Sequence, residues 1–125
     1  MLSFTDVNVL GNLIDTTFGK QSSHAGVMAI RAHLAGETLV VTYQDIVNIA
    51  KDQDKMRQVE PVLDLAVRSV KMYAAKIEKD FAAAAGHKIK LKKKNESSDL
   101  EALSYNFLSP IHPTRLRYTV TYEIG

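Results

Sequence analysis

The chain has 125 residues, 46% of them hydrophobic, and contains no cysteine. That length suits one domain, spanning 1–125, and that apolar content can fill a core, so global disorder, disulfides and thiolate metal sites are excluded. Sixteen Lys/Arg against fourteen Asp/Glu leave a net charge of +2, too small a balance for general affinity to nucleic acid, so any such binding needs a local patch.

The first segment reads as a helix. Thr5 or Asp6 can cap it, Val7, Leu10, Ile14 and Phe18 follow at helical spacing, and Gly19 supplies a left-handed stop. Gln21 to Ala25 is a polar loop. Residues 26–43 read as a hairpin. Met28, Ile30, Ala32 and Leu34 alternate with Ala29, Arg31 and His33, Gly36-Glu37 forms the turn, and Leu39, Val41 and Tyr43 alternate again. Val27, Ile30 and Leu34 would also line one side of a short helix, so the first arm stays open between the two, with the period-2 match favouring strand. Ile46, Val47, Ile49 and Ala50 either extend the second arm or form a helical turn.

A long helix is expected from Val59 to Ala85. Val59, Val62, Leu63, Ala66, Val70, Tyr73, Ile77, Phe81 and Ala84 form its apolar stripe, Pro61 fits its first turn, and Gly86 closes it. The remainder reads as three strands. Ile89 and Leu91 alternate with lysines, Asn95 to Ser98 form a turn, Leu103, Tyr105 and Phe107 alternate, and Pro110 and Pro113 bound a loop. In the last strand Leu116, Tyr118, Val120, Tyr122 and Ile124 face one way. The fold class is therefore α+β, a mostly antiparallel sheet packed against one long helix, in the order α-β-β-α-β-β-β.

Few residues carry recognisable chemistry. Lys88, Lys90, Lys92 and Lys94 would share one face of a strand and could track a phosphate backbone or meet an acidic partner. No aromatic residue interleaves them, so base stacking is unsupported, and a solvated face or a protected sheet edge is the favoured explanation. His24, His33, His87 and His112 have no ligand spacing, no nucleophile elbow or phosphate loop appears, and pairs such as Asp52/Asp54 and Glu78/Asp80 sit in polar stretches. The expectation is a non-enzymatic protein with no cofactor, no metal site and no small-molecule substrate. No apolar run approaches the ~20 residues that span a bilayer.

The ending Leu116-Arg117-Tyr118-Thr119-Val120-Thr121-Tyr122-Glu123-Ile124 resembles the last strand of lambda-like phage tail-terminator proteins. The order of elements is also similar to theirs. The resemblance implies a virion structural protein that forms a homo-oligomeric, hexameric ring at the end of the tail tube, assembled in the host cytoplasm and meeting neighbouring virion proteins of the neck. It carries over no catalytic residues. Ring closure needs a heterologous interface. The hairpin, through Val27, Ala29, Arg31, His33 and Val40, and the exposed flank of the long helix are candidates for its two sides, and the lysine strand could face DNA in the lumen. The alternative is a small nucleic-acid-binding module using Lys88 to Lys94 with Arg115 and Arg117. A third possibility is an enzyme or adaptor whose site is assembled only in three dimensions.

Overall fold

The computed structural model describes residues 2–19, 28–103 and 108–125. Within them the order is α1 (Phe4–Phe18), β1 (Ala29–Ala35), β2 (Thr38–Ala50), α2 (Lys55–Ala85), β3 (Leu91–Ala102) and β4 (Ile111–Ile124). The four strands make one antiparallel sheet in the order β1-β2-β4-β3. The protein is thus α+β, as the hydrophobic periodicity predicts.

Helix α1 begins two or three residues earlier than Thr5 or Asp6 would place it. Ser3 is the cap: its hydroxyl accepts from Asp6 N at 3.1 Å, and Asp6 Oδ2 accepts from Ser3 N at 3.2 Å. This reciprocal pair satisfies two of the backbone donors a helix start leaves unpaired. Leu10, Ile14 and Phe18 are buried, whereas Val7 is exposed. Gly19 ends the helix in a right-handed conformation (φ −60°), not the expected left-handed one. Its need for glycine is one of space, since a Cβ there would lie 2.4 Å from Asp15 O.

The first hairpin arm is a strand from Ala29, and β2 runs on to Ala50, which resolves both open readings in favour of strand. The Gly36-Glu37 turn joins them, with Ala35 opposite Thr38. Val27 lies outside the described residues.

Helix α2 starts four residues before Val59 because Asp54 caps it, accepting from Met56 N and Arg57 N. Gln58 reinforces that start. Its Oε1 accepts from Ala50 N at 2.8 Å, and its Nε2 donates to Ala50 O at 3.1 Å, tying the end of β2 to the helix. Pro61 consequently sits inside the helix rather than in its first turn, where its missing N–H forfeits one intrahelical bond. Gly86 closes α2 at φ +78°, its N–H donating to Ala82 O. At 1.5 Å per residue α2 is about 46 Å long.

Both helices lie on one face of the sheet, α1 beside β1 and α2 over β2 and β4. The core between them contains Leu10, Phe18, Leu39, Val41, Tyr43, Val70, Ile77, Phe81 and Val120. Phe18 and Tyr73 rings meet at 5.3 Å between the helices. His87 Nε2 lies 2.8 Å from Asp6 Oδ1, which clasps the exit of α2 to the start of α1. No helix among the described residues is long and apolar enough to cross a membrane.

The C-terminal third departs from expectation in its boundaries. Asn95 to Ser98 are not a turn but the middle of β3, paired with Thr121 to Tyr118 of β4. Polar residues are tolerated there because β3 is exposed along nearly its whole length, and pairing with β4 overrides their turn preference. Strand β4 begins at Ile111, so Pro113 lies within it, opposite Asn48. Leu103 follows the end of β3, and Tyr105 and Phe107 lie outside the described residues. Six elements stand among the described residues, and most of the strand expected around Leu103 to Phe107 lies outside them.

Candidate assembly surfaces

Strand alternation divides the sheet into two faces. Ile30, Leu39, Val41, Tyr43, Leu116, Tyr118, Val120 and Tyr122 turn toward the helices and are buried. The residues between them form an open face that no helix among the described residues covers. Register places Ala29 opposite Gln44, Arg31 opposite Thr42, and His33 opposite Val40. The four described residues of the proposed hairpin surface, Ala29, Arg31, His33 and Val40, are thus brought together on this face. Arg31 and His33 are exposed, and Ala29 and Val40 are half-buried.

The pattern continues across the sheet. Val40 pairs with Thr121 and Thr42 with Thr119, whose hydroxyls are 3.5 Å apart. Asn95 and Ser97 follow on β3. The centre of the open face therefore carries short side chains. Charged groups lie around it: Arg31 and His33 on β1, Arg117 opposite Asp99, and Arg115 opposite Glu101, with the last two 3.4 Å apart.

The four lysines do not form the single row that an unbroken strand would give. Lys88 and Lys90 precede β3. Lys90 is held by its backbone, with N–H and O each bonded to Gly125 at 2.9 Å. Lys92 stands opposite Glu123 on the open face, and a register shift between Lys93 and Asn95 takes Lys94 out of the pairing. All four are exposed. One inserted residue changes the side-chain parity of a strand, so the alternation legible in the sequence does not survive folding.

A groove runs between α2 and β3 on the helix side, because α2 covers β2 and β4 but not β3. Val67, Val70 and Ala74 form one wall, Leu91 and Lys93 the other, and Tyr118 and Tyr122 the floor, enclosing about 380 Å³. Glu78 accepts from Leu91 N at 2.9 Å and ties the start of β3 to the helix. Tyr118 donates to Glu96 at 2.6 Å. Burial and this carboxylate push the Tyr118 hydroxyl far up from its ordinary value, and the bond, with Lys93 nearby, holds Glu96 below the usual carboxylate range. Assigning Glu96 to a turn concealed this pair; only the β3–β4 register brings the two together.

The chain matches no known family model and no curated protein. The surfaces must therefore be read from their own chemistry. Among the described residues no group of three or more His, Asp or Glu is placed to hold a metal ion. The flank of α2 that faces away from the sheet exposes Leu65 and Met72, seven residues apart, and α1 exposes Phe4. His33 and His112 stand on different strands, with His112 Nδ1 3.4 Å from Thr114 Oγ1.

Proposed function

We propose that this protein is a structural subunit that works by protein–protein assembly, as a ring-forming tail-terminator or neck component of a tailed phage. The open face of the sheet carries the reading. It is a strand surface with Val40, Thr42, Thr119 and Thr121 half-buried at its centre and Arg31, Arg115 and Arg117 around it. A centre of small or apolar groups within a charged margin is the anatomy of a protein interface. A second patch of different character, the exposed Leu65–Met72 flank of α2, supplies the other half of a heterologous contact, which closes a ring when its rotation permits. The finer assignment to the end of a phage tail is supported by the resemblance of the Leu116–Ile124 strand and by the element order.

Light scattering behind a sizing column, followed by electron microscopy, tests the proposal. A ring-sized species is expected, and Val40→Asp should disperse it while leaving the circular dichroism spectrum unchanged. A chain that remains monomeric at high concentration and does not bind tail tubes would reject the reading.

A further inference from the structure

Among the described residues, the outer edge of β3 is the longer of the two free edges of the sheet. Edge strands present unpaired backbone donors and acceptors, and lysines and bulges usually defend them against random pairing. Here the defence is polarised. Lys92, Lys93 and Lys94 occupy the first half of β3, and Glu96, Asp99 and Glu101 the second. Such a strand repels itself in parallel but complements itself when one copy is reversed.

The register points to β3 pairing antiparallel with β3 of a second copy, about a two-fold axis at Ser97, so that two sheets join into one of eight strands. The strand's own geometry fixes that axis. With Lys94 set aside as the bulged residue, the positions paired to β4 run from Leu91 to Ala102 with Ser97 in the middle, five on either side. Reversal about Ser97 sets Asn95 against Asp99, Glu96 against Ser98, Lys93 against Leu100, and Lys92 against Glu101. Residues opposite one another in an antiparallel pair share a face. Lys92 and Glu101 both lie on the open face, so two symmetric Lys–Glu pairs form across the junction, one at each end. Lys93 and Leu100 both lie on the helix side, where the lysine stem can cover the half-buried leucine. The bulge selects which lysine meets Glu101. Without it the same axis would set Lys94 against Leu100 and Lys93 against Glu101.

The other edge offers no such match. Strand β1 exposes Arg31 and His33 and no carboxylate, so self-pairing there would oppose like groups. The lysines of β3 then have two effects: they reject strands without acids at the matching positions and admit the one strand that has them, which is how specificity arises from repulsion as well as attraction. The contact is isologous. It is therefore separate from the heterologous contact that a ring requires, and it stands or falls independently of the ring.

The test compares the wild-type chain with Lys92→Glu, Glu101→Lys and the doubly swapped variant by light scattering over a range of concentrations, with hydrogen exchange of the β3 amides. The expected result is a concentration-dependent two-fold species that slows β3 exchange. Each single reversal should weaken it about tenfold or more, because like charges directly opposite destabilise strand pairing. The double swap should restore it. Within one chain the swap sets like charges at Lys92/Glu123 and at Glu101/Arg115, so recovery cannot come from a better-folded monomer. A wild-type chain without a two-fold species, single reversals without effect, or a double swap that fails to recover each overturns the proposal. A ring-sized oligomer indifferent to both reversals would overturn it too, while sparing the ring.

Discussion

Strands β3 and β4 pair along almost their whole lengths yet belong to different environments. In β4 every second residue from Thr114 to Ile124 is buried, whereas β3 buries none and leaves only Leu91 and Leu100 half-covered. The cause is the position of α2, which lies over β2 and β4 and stops short of β3. Hydrogen-bonded pairing and burial are separate contributions to strand stability. In β4 both act; in β3 the ladder acts almost alone, with help at its edges from Glu78 to Leu91 N and from Tyr118 to Glu96. This contrast predicts that substitutions matter according to which side of α2 they fall.

The largest effect belongs to the covered side. Phe81 is fully buried between α2 and the sheet and meets His87 edge-on at 5.3 Å. Phe81→Ala should cost about 3–5 kcal/mol in urea unfolding, a large share of the stability of a domain this size. A loss below about 1 kcal/mol would mean that α2 does not seal the core as described. Next comes Gly86→Ala. A Cβ there would meet nothing, but φ is +78°, so the cost is backbone strain of about 1–2 kcal/mol. Gly86→Asn should recover part of it, because asparagine tolerates that region. Asp54→Ala removes the acceptor for Met56 N and Arg57 N and should cost about 1 kcal/mol. The start of α2 is the place to read it, by hydrogen exchange at Met56 and Arg57.

The same contrast explains how much was legible in the sequence. Elements on the covered side announce themselves by period. The i, i+4 pairs Ala66/Val70 and Ile77/Phe81 in α2 and the strict alternation of Leu116 to Ile124 in β4 both read directly as buried faces, although the stripe also took in the half-buried Tyr73 and the exposed Ala84 and missed the buried Ala74. Strand β3 has no apolar alternation to detect, since it has no covered face. Its Asn-Glu-Ser-Ser centre carries turn chemistry that only β4 overrules. Boundaries failed where a capping side chain decides them: Ser3 set the start of α1 earlier, and Asp54 with Gln58 drew the start of α2 back past Val59. Of the candidate surface, Ala29, Arg31, His33 and Val40 share one face of the sheet, because hairpin register follows from the Gly36-Glu37 turn. The lysine row was misjudged, because a bulge leaves no signature in residue spacing. The groove between α2 and β3 could not be foreseen at all, because it depends on how far the helix extends across the sheet.

A smaller, pH-dependent effect tests the clasp between the helices. Its hydrogen bond to His87 holds Asp6 below the usual carboxylate range, and the same bond raises His87 above the ordinary imidazole value. The raised His87 pKa contributes stability that is complete below about pH 6.5 and is lost as pH rises through the folded-state value; the lowered Asp6 pKa contributes stability that is complete above about pH 4 and is lost as pH falls through its own. The clasp is therefore strongest between those limits. Wild type and His87→Gln, compared by urea unfolding, should differ most near pH ~5.5 and converge toward pH ~9. A difference that grows with pH would reverse the assignment.

The smallest effects should come from the uncovered strand. Ser97 faces the open side of the sheet and Lys94 is the bulged residue, both exposed. Ser97→Thr and Lys94→Ser touch no packed neighbour, so each should change unfolding free energy by less than about 0.5 kcal/mol. If β3 behaves as a free edge, the slight gain expected from the β-branched threonine is all that Ser97→Thr can show. A larger response that scales with protein concentration would place a second chain against β3, because only an association coupled to folding makes apparent stability depend on concentration. Agreement of the two variants at every concentration would instead mark β3 as a strand held in place by β4 alone.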